Sequence, residues 1–329
     1  MLGTVPRSDH PWSCTLLGEF VSIRLLGELN ATLNGRSVTP TAAKPRQVLA
    51  MLALSAGRIV SVPALIEELW GDRPPMSVRT TLQTYILQLR RLIDSALPAG
   101  APTRAKDVLV TRFDGYLLDV AAEDVDVWVY EQLVDAGNQA IERGDYEAAS
   151  RHLGRALDQW QGHALADVRV GMPLSIEVAR LEESRLIALD NRIGAEIRLG
   201  RHNAVLSELT VLTAKHPMHE NLCAHHMVSL YRAGRQSQAL EVFRNLRQTL
   251  NRELGVEPSV RLQKLQRAVL RSELDLEAPP PVRRMRAEAV PAAVVPGAGR
   301  DEETSGVPIG EPAGTGHLMT RMGGNGWQR

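Results

Sequence analysis

Lysine is scarce: only four of the 38 basic residues are Lys, at positions 44, 106, 215 and 264. Such an arginine bias, with abundant Ala, Gly and Leu, is what a GC-rich genome yields by codon usage. It says nothing about mechanism. Cysteine is scarcer, with Cys14 and Cys223 far apart, which excludes a disulfide scaffold and points to a reducing, cytoplasmic compartment. There is no run of 18 apolar residues, and the apolar stretch 16–26 is broken by Glu19 and Arg24, so no membrane span or clean signal peptide is expected. An excess of one charge is missing too, with 38 bases against 38 acids. Nor does any G-x-x-x-x-G-K-[ST], G-x-S-x-G or zincin motif occur, so neither an enzyme nor an ATPase module is expected.

What is present is unevenly distributed. Residues 77–112 hold six bases (Arg79, Arg90, Arg91, Arg104, Lys106, Arg112) against two acids (Asp94, Asp107), a local balance of +4 in a neutral chain. Within it, residues 77–93 (SVRTTLQTYILQLRRLI) place Leu82, Ile86, Leu89 and Ile93 on one stripe of a 3.6-residue helix. The other faces carry Arg79, Thr80, Thr81, Thr84, Tyr85, Gln88, Arg90 and Arg91. A dry back and a front of guanidinium, amide and hydroxyl groups suits the major groove: Arg pairs with guanine edges, Gln with adenine, and Thr with phosphate or a thymine methyl. The same pattern also fits an ordinary surface helix. Residues 108–120 (VLVTRFDGYLLDV) weigh against that, because Asp114-Gly115 is a hairpin signal with Arg112 beside the tip. A recognition helix followed by such a hairpin is a winged helix-turn-helix, whose wing arginine can enter the narrow minor groove.

Around this pair the chain reads in order. Residues 1–20 lack a period and are expected to be a loose extension. Residues 21–39 alternate about Asn34-Gly35, a second hairpin signal. Residues 43–54 turn helical, and Ser61 with Pro63 opens a further helix that Gly71 to Pro75 ends. Residues 121–275 read as all-helical, with Gly144, Gly200 and Gly234 between amphipathic runs. The 34-residue interval from Gly200 to Gly234 is the tetratricopeptide period, whereas Gly144 to Gly200 is 56, an irregular array. Each Gly is expected to let antiparallel helices approach, with Ala148, Ala204 and Ala239 small where helices cross. Such a stack offers a protein-binding groove, or it serves only to dimerise or stiffen the chain. The Pro- and Gly-rich stretch 276–329 is expected to be a disordered tail. His216, His219, Cys223 and His226 fall at i, i+3, i+7 and i+10 and invite a metal reading, but one helix seldom closes a tetrahedral site, so no metal or cofactor is expected. Glu182, Glu183 and Arg185 read as a solvated helix face.

Here a family resemblance becomes specific. AKPRQVLAMLAL (43–54), LIEELWGDRPP (65–75), RTTLQTYILQLRRLI (79–93) and FDGYLLDV (113–120) resemble the OmpR-type winged helix of the Streptomyces antibiotic regulatory protein (SARP) family. DVDVW (124–128), GDYEA (144–148), His216-Pro217, LYRAGR (230–235) and LGVEP (254–258) are similar, in order, to the bacterial transcriptional activator domain that follows it there. The resemblance spans about residues 21–275. It implies an α+β winged helix-turn-helix of OmpR/PhoB type, the effector fold of two-component phosphorelays, over 21–120, then an all-α tetratricopeptide-like domain over 121–275. It further implies a transcriptional activator of a secondary-metabolite cluster that binds direct repeats of double-stranded DNA as a homodimer and contacts RNA polymerase through its sigma factor and core subunits. In that reading Thr84, Tyr85 and Gln88 lie at base edges, Arg79, Thr80, Thr81, Arg90 and Arg91 grip phosphates, and Arg112 enters the minor groove. Gln88 departs from the Arg common at its position in OmpR-type helices, which puts the preferred base at that step in doubt. The competing expectation is a helical scaffold for a regulatory protein, with the winged helix as an interaction module.

Overall fold

The computed structural model describes residues 21–272; the expected extension (1–20) and tail (276–329), with Cys14, lie outside the described residues. Alternation over the first segment folds as expected. β1 (Val21–Arg24) pairs antiparallel with β2 (Asn30–Leu33), and β2 with β3 (Arg36–Ser37), around Asn34 and Gly35 at φ 51° and 74°. Two consecutive positive φ values are what a two-residue hairpin turn needs, and Asn-Gly supplies them at low cost. Ile23, Ala31 and Leu33 point inward onto α1 (Ala43–Leu54) and the elements beyond it.

β4 (Ile59–Ser61) leads into α2 (Val62–Trp70), where the Ser61 hydroxyl accepts from Ala64 N at 3.3 Å and Pro63 occupies the first turn. α3 (Val78–Ala96) buries the expected stripe of Leu82, Ile86, Leu89 and Ile93. A short helix, α4 (Ala105–Val108), then delivers β5 (Leu109–Arg112) and β6 (Gly115–Leu118), giving a second antiparallel sheet in the order β4-β6-β5. The hairpin exists, but its turn is Phe113-Asp114, with Arg112 paired to Gly115. Neither Asp114 nor Gly115 has a positive φ. Gly115 is needed for a different reason: β4 passes so close that a Cβ there would lie 2.3 Å from the Val60 carbonyl oxygen.

After a 3-10 turn (Ala122–Asp124) the chain is helical: α5 (Asp126–Glu142), α6 (Tyr146–Leu157), α7 (Met172–Arg198), α8 (Leu206–Lys215), α9 (Glu220–Arg232), α10 (Gln236–Leu254) and α11 (Val260–Arg271). Gly144, Gly200 and Gly234 sit at φ 74–76° just past the ends of α5, α7 and α9. The amide following each one donates to a carbonyl in the last turn: Asp145 N to Ala140 O, Arg201 N to Glu196 O, Arg235 N to Leu230 O. These glycines are therefore helix stops in the left-handed region. A Cβ on any of them would meet open space, so helix crossing is not their purpose. The close crossing lies instead at Gly137 of α5, where a Cβ would be 2.6 Å from Leu153 Cγ of α6. Of the alanines expected at crossings, Ala239 is buried, Ala148 half-buried and Ala204 exposed. The 56-residue interval is filled by α6, a loop and the 27-residue α7.

The helical region is not hung on a flexible tether. One apolar core runs unbroken from Ile23 through the winged helix to Ala195 in α7, while two smaller clusters serve the helices beyond. Three carboxylates close the joint. Asp126, at the start of α5, accepts from the Leu25 and Leu26 amides at 2.9–3.0 Å. Asp167 accepts from Leu29 N at 2.8 Å and pairs with Arg46. Glu68 of α2, 2 % exposed, reaches into the first turn of α7, accepting from Gly171 N at 2.5 Å and Leu174 N at 2.9 Å, and also takes the Gln47 amide at 3.0 Å. A carboxylate at a helix N-terminus satisfies orphan amides and complements the dipole. Glu182 and Arg185 are likewise structural rather than solvated. Glu182 accepts from Ala164 N, and the Arg185 guanidinium lies 4.6 Å from the Trp160 ring centroid; Glu183 is exposed.

Candidate nucleic-acid interface

The two devices that matter are α3 and the β5–β6 hairpin, which a single side chain fastens together. Arg90 leaves α3 and donates through Nε and Nη2 to the Leu109 carbonyl at 2.9 and 2.6 Å, and through Nη2 to Thr111 Oγ1 at 2.8 Å. This gives Arg90 a framing role beside its expected phosphate contact, because Nε and Nη2 set the hairpin against the helix. The Tyr85 ring is half-buried and stacked on Trp70, with centroids 6.3 Å apart and planes at 19°, which braces α3 from α2. Thr81 is half-buried and its hydroxyl donates to the Ser77 carbonyl at 3.0 Å.

The rest of the expected face is open: Arg79, Thr80, Thr84, Gln88 and Arg91 are exposed. The Thr84 hydroxyl donates back to the Thr80 carbonyl at 3.0 Å, which leaves its oxygen lone pairs able to accept. Two further residues share this face. Gln83 is exposed one turn after Arg79, and Leu87, 48 % exposed, follows Gln83 by four. At 3.6 residues per turn Gln83 flanks the buried stripe, about 90° from its centre, and Leu87 lies nearer the opposite side, so the signal was there for Gln83. Leu87 was hidden because an apolar residue in an apolar run reads as core. An outward Leu among Thr and Gln offers a hydrophobic contact of the kind a thymine methyl accepts.

The local acids do not cancel the patch. Asp94 accepts from Ala105 N at 3.0 Å and Asp107 from Arg104 N at 2.9 Å, so both cap α4. Arg104 and Lys106 are exposed beside them. At the hairpin, Thr111 through Asp114 are all exposed. Arg112 is open to solvent but not isolated: burial raises the Asp119 carboxyl above its ordinary range, and the nearby Arg112 guanidinium partly offsets this.

The His and Cys cluster forms a different object from the one its spacing suggested. His216 ends α8, and His219 caps α9, its Nδ1 accepting from Leu222 N at 3.2 Å. His226 Nδ1 faces Thr213 Oγ1 at 3.3 Å, and burial, then the charge of Arg235, lowers its pKa. Burial, then Glu220, pushes the Cys223 thiol up to about 12. These residues line a cleft of about 300 Å³ between α8, α9 and α10. Among the described residues no group of three or more His, Cys, Asp or Glu side chains is arranged to hold a metal ion, and no helix is long and apolar enough to cross a membrane.

Comparison with known proteins agrees with this architecture. The family described as "Transcriptional regulatory protein, C terminal" matches residues 36–118, and the "Bacterial transcriptional activator domain" matches residues 125–270. The regulatory protein DnrI of Streptomyces peucetius is 57 % identical over 253 residues, covering 77 % of this chain and 93 % of DnrI. The transcriptional regulator RedD of Streptomyces coelicolor is 35 % identical over 83 % of this chain and 77 % of RedD. Among solved structures, Mycobacterium tuberculosis EmbR in complex with a low-affinity phosphopeptide superimposes with a TM-score of 0.73 at 34 % identity, over 79 % of this chain and 67 % of that one. An OmpR-like winged helix joined to a bacterial transcriptional activator domain, shared with relatives this similar along most of their length, makes the chain a transcriptional regulator of the Streptomyces antibiotic regulatory protein family.

Proposed function

We propose that this regulator is a sequence-specific DNA-binding activator that inserts α3 into the major groove and lays the β5–β6 wing along the neighbouring minor groove. The observation that carries the reading is the outward face of α3. Thr80, Gln83, Thr84, Leu87, Gln88 and Arg91 are presented together, with Arg79 at the helix start, while Arg90 holds the wing beside them. Gln83 and Gln88 offer the paired donor and acceptor that adenine matches, Thr84 and Leu87 offer apolar contact for thymine methyls, and Arg79 and Arg91 hold phosphate. By family resemblance the sites are direct repeats, occupied by two copies, upstream of a secondary-metabolite promoter in the cytoplasm. The helical domain then meets RNA polymerase. Because the joint is packed and capped by Glu68, Asp126 and Asp167, a copy fixed on DNA would present α5–α11 in a defined direction.

Footprinting of the full chain on DNA around its own gene, at two salt concentrations, tests this. Protection of two repeats about one helical turn apart, lost in Arg79→Ala/Arg91→Ala, is the expected result. No protection at low salt overturns it and leaves the winged helix as a protein-interaction module.

A further inference from the structure

We infer that Phe113, at the tip of the wing, is a hydrophobic wedge for the minor groove; this rests on the DNA-binding reading above. The chain has only three phenylalanines, and this one is 109 % exposed, so its ring touches nothing in the protein. It contributes nothing to the core: the ring is exposed in the folded chain as in the unfolded one, so folding gains nothing from it.

The ring's mount is what separates it from an incidental exposed residue. The two-residue turn Phe113-Asp114 is braced from three sides. Arg112 pairs with Gly115 across the hairpin, Ser61 of β4 pairs with Gly115 from the other edge, and the Val62 amide donates to the Asp114 carbonyl at 2.9 Å. β4 approaches so closely that only glycine fits at 115. Arg90 fixes the outer strand to α3 through Leu109 and Thr111. The tip is therefore a rigid turn seated on the same frame as the outward face of α3, a preorganised mount in which little freedom is lost on contact.

Charge points the same way. Arg112 and Asp114 flank the ring with opposite formal charges, and Asp119 lies near Arg112 as well. Attraction to phosphate at the tip is largely offset, so the contact there must come from the ring. Apolar side chains entering the minor groove act as wedges that part a base step, most easily at flexible pyrimidine–purine steps. The ligand is thus duplex DNA at such a step, at the position the wing reaches when α3 occupies the adjoining major groove.

The test uses the full chain on the footprinted fragment, with 2-aminopurine at the step facing the wing. The variants are Phe113→Ala, Phe113→Leu and Arg112→Ala. For Phe113→Ala the expectation is an affinity loss of about tenfold, from the lost stacking or insertion contact, with an unchanged salt slope and loss of the 2-aminopurine fluorescence rise. Phe113→Leu should keep most of the rise, and both Phe113 variants should melt like the wild type because the ring touches no neighbour; Arg112→Ala, whose charge Asp114 and Asp119 largely offset, should keep the fluorescence rise. Wild-type affinity and fluorescence in Phe113→Ala overturn the wedge. Normal DNA affinity with reduced transcription in vitro also overturns it and assigns the ring to a protein partner. Absence of wild-type binding at low salt is a separate result, which removes the DNA-binding reading itself.

Discussion

The outward face of α3 and the joint behind it are both rich in groups that ionise or hydrogen-bond, and they use them in opposite ways. At the joint, Glu68, Asp126 and Asp167 direct their lone pairs at named amides beside the buried core. On α3, Arg79, Gln83, Gln88 and Arg91 are exposed, and even an apolar residue, Leu87, faces solvent. The two regions differ in the sign of their charge, but what sorts structure from site is partner accounting. A polar group whose neighbours are complete belongs to the structure, and one held in place with its donors open is available to a ligand.

The largest effect that would break this contrast is at Glu68. Removing its carboxylate in Glu68→Ala orphans the Gly171 and Leu174 amides and the Gln47 side chain inside the core. Leaving several buried donors unpaired should cost about 3 kcal/mol or more, read as a fall in the urea midpoint. A loss under about 1 kcal/mol would mean that packing alone holds the joint. Gly115→Ala comes next. Its methyl would overlap the Val60 carbonyl, so β4 must shift; a cost of about 2 kcal/mol and a loss of DNA protection are expected together.

Asp126 sharpens the comparison through pH. Burial raises its pKa despite the opposing Leu25 and Leu26 amides, so the folded state holds the proton more tightly than the unfolded state. The sign follows: relative to a residue that does not titrate, the wild type is stabilised below the unfolded carboxyl value and loses that advantage as pH rises through the raised folded value. The stability gap between wild type and Asp126→Asn should therefore widen as the pH is lowered through the carboxyl range. A gap that narrows on acidification would show that the amides outweigh burial.

These elements also show where sequence reasoning reached and where it stopped. The α3 stripe, the Asn34-Gly35 turn and the Ser61 cap were legible because their causes lie within a few residues. Gly115 was noticed for the wrong reason, since the strand that crowds it is β4, over 50 positions earlier in the chain. The joint was invisible: Glu68 meets partners 103 and 106 residues away, and no local pattern announces such a pair. Phe113 passed as one more apolar residue flanking a turn, because composition cannot show that nothing packs against it.

The finest test lies in two adjacent residues of identical chemistry. Arg90 and Arg91 differ by one helical step, yet Arg90 is half-buried on the Leu109 carbonyl and Thr111 hydroxyl while Arg91 is exposed. Arg90→Ala leaves that carbonyl short of its donors and the wing without its tie, so a stability loss of about 1 kcal/mol is expected. Its DNA affinity should fall through a misplaced wing, with little change in salt dependence. Arg91→Ala should leave the melting curve within about 0.5 kcal/mol of wild type, as surface substitutions do. Its affinity should also fall, but with the log–log salt slope flattened by about one unit, the signature of one lost phosphate contact. Interchanged results would place Arg91 in the frame and Arg90 on the DNA. Matching results from the two would mean that exposure in the free chain does not sort the arginines of α3 at all.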